Sequence, residues 1–77
     1  MELNKTLLNE QAKALREFAS NLTPLFFELS AQEFAAIDNN PAQAKILCQK
    51  TNFLAKRIAR ATDAADAIEK VLALEGV

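Results

Sequence analysis

A chain of 77 residues with nine Lys/Arg and ten Asp/Glu carries a formal charge of −1, and 51% of it is apolar. One Gly and two Pro beside fifteen Ala and eleven Leu make a helix-forming composition, one too apolar for disorder. With no His and a single Cys, the chain excludes a disulfide framework, a Cys/His zinc site and any Ser-His or Cys-His catalytic pair of its own.

No apolar run exceeds the four residues Val71, Leu72, Ala73 and Leu74. The expectation is therefore a cytoplasmic protein, with neither a membrane span nor a signal peptide. Residues 1–77 read as a single helical domain. Ordering costs roughly 1.5 kcal/mol per residue, which a core of this size only just balances without a disulfide or metal staple. A second copy or a partner protein is the expected source of further burial, although size alone does not compel it.

The first segment runs from about Leu3 to Leu29. Leu8, Leu15, Leu22 and Leu29 recur every seven residues and share a helical face with Ala12, Phe18, Ala19, Leu25 and Phe26. Leu3, Leu7 and Ala14 widen that face to about 160°, the width of a stripe with two neighbours in a bundle. Gln11 sits at its edge. Pro24 lacks the N–H of a helix interior, so a kink is expected there, with Thr23 as an available N-cap.

Ser30-Ala31-Gln32-Glu33 fits a capping box and predicts a short connecting helix over Ala31 to Asp38. Asn39 and Asn40 form the turn. Pro41 opens the last helix with Asn40 as N-cap, and Gly76 stands where a C-terminal cap glycine belongs. Between them Leu47, Thr51, Leu54, Ile58, Ala61, Ala65, Ile68 and Leu72 alternate spacings of four and three, the pattern of a packed seam. In an antiparallel hairpin the small Ala61 and Ala65 meet the bulky Leu15 and Phe18.

The predicted fold is therefore all-α: a kinked N-terminal helix, a short connecting helix and a long C-terminal helix folded back as an antiparallel hairpin, associating as a dimer into a helical bundle.

Charge is unevenly spread. Lys45, Lys50, Lys56, Arg57 and Arg60 give residues 41–62 a charge of +5 with no acid among them. Lys45, Lys56 and Arg60 fall within about 60° on a helical wheel, with Lys50 and Arg57 on the flank. Such a ridge is a candidate phosphate contact. A solvated face, or a strip set against Glu28 and Glu33, fits the near-neutral balance and the pI near 5.3 better. A helix-turn-helix at residues 31–50 is a poor match, because its turn is Asn-Asn-Pro and its second helix is too long.

Phe27 points away from the leucine stripe of a straight helix, so it is either core at a bend or an exposed anchor. The group Phe26, Phe27, Phe34 and Ile37 is the candidate contact surface, continued by Ile46 and Phe53 on the last helix. Cys48 reads as an ordinary reduced thiol, buried or half-buried. Asp63 and Asp66 are a very weak metal signal.

The sequence thus leads to a non-enzymatic interaction module, a small adaptor, chaperone-like partner or inhibitor with no cofactor, metal or catalytic residue. Phe27, Phe34, Ile46 and Phe53 are its apolar anchors, with Lys56, Arg57 and Arg60 as rim. The alternative is a dimeric nucleic-acid-binding regulator using Lys45, Lys56, Arg57 and Arg60.

Overall fold

The computed structural model describes residues 4–75, so Leu3 and the cap glycine Gly76 lie outside the described residues. Two helices account for nearly all of them: α1 over Lys5–Asn39 and α2 over Pro41–Glu75. They pack against each other as a hairpin measuring 57 × 16 × 15 Å. No described helix is long and apolar enough to cross a membrane.

Local signals account for both helix starts and for the sharp turn. Asn4 caps α1, its side-chain oxygen accepting from the Leu7 N–H at 3.0 Å. At the turn Asn40 alone leaves the helical conformation, with φ −149° and ψ 80°. Its backbone N–H closes α1 on the Ala36 carbonyl, and its side-chain oxygen accepts from the Gln43 N–H at 3.2 Å. Asn40 therefore ends one helix and caps the next, while Pro41 takes the first position, where no N–H is needed. The expected N-cap is in place, and the turn is one residue rather than two.

The separate connecting helix expected over Ala31–Asp38 does not exist as an element, because α1 continues through Ser30 to Asn39. A capping box needs its first residue outside the helix, and nothing at Ser30 breaks α1. Glu33 instead reaches across the hairpin, its Oε1 3.3 Å from the Thr51 hydroxyl. Thr23 does not start a helix either. Its hydroxyl donates back to the Ala19 carbonyl at 2.8 Å, as in a helix interior, and Pro24 lies inside α1.

The seam between the helices is lined with alanine. Ala12 and Ala19 of α1 are buried against Ala44, Leu47, Ala61 and Ala65 of α2, and Leu47 is the only large side chain among these. Small residues on both sides let the two rods approach closely and push the bulky residues to the flanks. Leu15 and Phe18 meet Ala61 at one flank as expected, yet Phe18 stays exposed. Among the described residues the one buried polar side chain is Thr51, whose hydroxyl lies 3.0 Å from the carbonyls of both Leu47 and Cys48. No described side chain larger than alanine is wholly buried, so a single hairpin removes little apolar surface from water for its length.

Candidate interaction surface

The apolar side chains that the seam excludes lie along two edges. Leu25, Leu29, Ile46, Phe53 and Leu54, with Lys50, line an open groove of about 390 Å³. Thr23, Phe26, Phe27, Ala55, Ile58 and Ala59 line a second groove of about 280 Å³. Leu25 and Phe27 are two residues apart on α1, and so are Phe53 and Ala55 on α2, a rotation of about 160°. The grooves therefore open on opposite edges of the hairpin.

This geometry divides the candidate anchors. Phe27 and Phe34, 65% and 79% exposed, stand on one edge, and Ile46 and Phe53, 47% and 57% exposed, on the other. All four are on the surface, which settles for Phe27 what a bend at Pro24 left open. The continuous patch expected to run from Phe27 and Phe34 onto Ile46 and Phe53 is instead two patches. Helical phase was legible for each helix alone, but the edge each residue takes depends on the seam direction of both. Phe26, expected in the same group, is half-buried and packs edge-on to Phe27 with ring centroids 5.7 Å apart.

The basic residues divide as well. Lys45 borders a depression with Glu33, Ile37, Pro41 and Cys48, on the side of Phe27 and Phe34. Arg57 and Arg60 flank Leu15 and Phe18 on the other side. The Arg57 guanidinium lies 4.8 Å from the centroid of the Phe53 ring, a cation–π contact that fixes the two together. Lys56 is exposed between the two sides. Neither Glu28 nor Glu33 forms an ion pair with this stretch, although Glu33 shares the depression beside Lys45. Cys48 is exposed rather than buried, with the Asn52 amide 3.6 Å from its sulfur.

A feature that the sequence reading missed links the two helices in the half of the hairpin away from the turn. Arg16 donates from Nε to Glu69 at 2.7 Å and from one terminal nitrogen to Asp66 at 2.6 Å and to Glu69 at 2.8 Å. The signal was present, since residues equidistant from a turn at Asn40 pair Arg16 with this part of α2. The hydrogen bonds from Arg16 hold the Glu69 carboxyl below its ordinary value of 4.5. A depressed carboxylate stabilises the native state above its unfolded value, and that contribution disappears as pH falls through the native value. The thermal midpoint is therefore expected to drop on acidification below about 4.5, and Arg16→Ala to flatten that part of the profile, as read by circular dichroism.

Among the described residues no group of three or more His, Cys, Asp or Glu side chains is placed to hold a metal ion. No protein-family model matches the chain, and no curated protein or solved structure matches it significantly.

Proposed function

We propose that the protein is a non-enzymatic interaction module, an adaptor, chaperone-like partner or inhibitor that works as a homodimer and presents a helix edge to another protein. One observation carries this reading. Ten large apolar side chains, from Leu7 to Leu74, are exposed by 42% or more on a hairpin whose seam is mostly alanine. So much exposed apolar surface on a small protein marks an interaction surface.

Phe27 and Phe34 are the anchors for the other protein. They are seven residues apart, so they stand nearly one above the other on α1, and the exposed Ile37 lies one turn from Phe34. A bend at Pro24 tunes the curvature of this edge beside Phe27.

The test is capture from a native lysate with the wild type and with Phe27→Ala/Phe34→Ala. Both residues are exposed, so the double variant is expected to keep its helicity and to lose no more than about 0.5 kcal/mol of stability per site. Anchors of this kind are worth about 2 kcal/mol or more at an interface, so retention of the bound protein should fall more than tenfold. Unchanged retention would remove the two phenylalanines from the surface. Recovery that collapses after nuclease, and on Arg57→Ala/Arg60→Ala, would instead make the basic residues of α2 the functional ones.

A further inference from the structure

The geometry points to a second copy of this chain as the occupant of the Ile46–Phe53 edge, seated with both Asn40 turns at the same end, so that α1 of each copy lies along α2 of the other. This assignment rests on the homodimer reading above and names the face and the alignment.

The apolar content of the edge comes first. At about 100° per residue, Leu7, Phe18 and Leu25 fall within about 20° of one another on α1, and so do Ile46, Phe53 and Val71 on α2. All six are exposed. Together they mark one edge from the open end of the hairpin to its turn, with the Leu25–Phe53 groove toward the turn. The whole hairpin projects 57 by 16 Å, on the order of 900 Å², so a copy seated along its full length approaches the roughly 800 Å² that a stable interface takes from each partner. Phe27 and Phe34 stay uncovered on the opposite edge, free for a different protein.

Charge selects the alignment. Glu28 borders this edge on α1, three residues from Leu25, while Lys50, Arg57 and Arg60 stand among Ile46 and Phe53 on α2. None of them is ion-paired within the chain, the ion pairs among the described residues being those of Arg16. Residues equidistant from Asn40 lie abreast, as the contact from Lys5 to Glu75 shows. Lys50 is thus level with Ser30, beside Glu28.

A two-fold axis along the hairpin keeps these levels. It sets Glu28 near Lys50 of the other copy. The reversed alignment, with turns at opposite ends, lays α1 on α1 and α2 on α2. Arg57 then meets Arg60, which is repulsive.

Sedimentation equilibrium of the full chain tests the face, with helicity checked in parallel. The wild type is expected at about twice 8.5 kDa, and Phe53→Asp as a folded monomer. Glu28→Lys or Lys50→Glu alone should weaken association about fivefold at low salt, and the double variant should recover it. That rescue reports on the face even where Phe53→Asp fails to fold. Spin labels on Asp38→Cys in a Cys48→Ser background should then lie about 20 Å apart for turns at one end, against nearly the 57 Å length of the hairpin for the reversed alignment.

A long label separation overturns the alignment. A dimer indifferent to Phe53→Asp and to both charge reversals overturns the face while leaving the homodimer reading intact. A wild-type monomer at every concentration overturns both, and leaves capture through Phe27 and Phe34 to stand or fall by its own experiment.

Discussion

Ala65→Leu is expected to be the most damaging single conservative change in this chain. Ala65 has no exposed surface, and its position in α2 is equidistant from Asn40 with Leu15 in α1, so a large side chain already fills the space opposite. Adding three carbons to a filled site costs about 1–3 kcal/mol through off-rotamer side chains and backbone shifts. Here the strain has no second layer of core to absorb it. The remaining seam is Ala12, Ala19, Ala44, Leu47, Thr51 and Ala61, and forcing the rods apart at one point loosens contacts along both. At about 4–8 °C per kcal/mol for a domain of this size, the thermal midpoint should fall by roughly 5–20 °C. Ala31→Leu, on an exposed position of α1, is the matched control and should stay within about 0.5 kcal/mol. The melts must share one protein concentration, because association shifts the midpoint by mass action. Equal melts for the two variants would mean that the alanine seam does not hold the hairpin together.

The same seam shows where the sequence was informative. The four–three spacing from Leu47 to Leu72 located the packed face of α2, and of its eight members Leu47, Thr51, Ala61 and Ala65 are buried. The remaining four, among them Leu54 and Ile58, are only half-buried, because two rods touching through alanine cannot cover the larger side chains beside it. The Asn40-Pro41 start was legible because cap chemistry is local. Ser30 and Glu33 have the same local chemistry and misled, since a capping box competes with continuing the helix and wins only where something ends the preceding one. Nothing does so before Asn40. The edges carrying Phe27 and Phe53, and the Arg16 clamp on Asp66 and Glu69, needed the relative rotation of two helices, which no single helical wheel contains.

Pro24→Ala is expected to raise stability, the rarer direction for a single substitution. Proline in a helix interior is about 3 kcal/mol less favourable than alanine, through the missing N–H and the clash of its ring with the carbonyl four residues back. α1 nevertheless runs unbroken across it, and Pro24 is exposed. Its replacement therefore disturbs no seam contact and restores a donor to the Ser20 carbonyl. A gain of about 1–3 kcal/mol follows, read as a rise in the thermal midpoint at fixed concentration. The informative comparison is with capture of the other protein. Pro24 lies three residues before Phe27, and a residue that weakens the fold can persist because the local geometry it imposes is used. If that is its role, Pro24→Ala melts higher and yet captures less, with Phe27 and Phe34 both still in place. A variant that melts higher and captures as well as the wild type would separate the proline from the binding edge and leave the two phenylalanines to act without it.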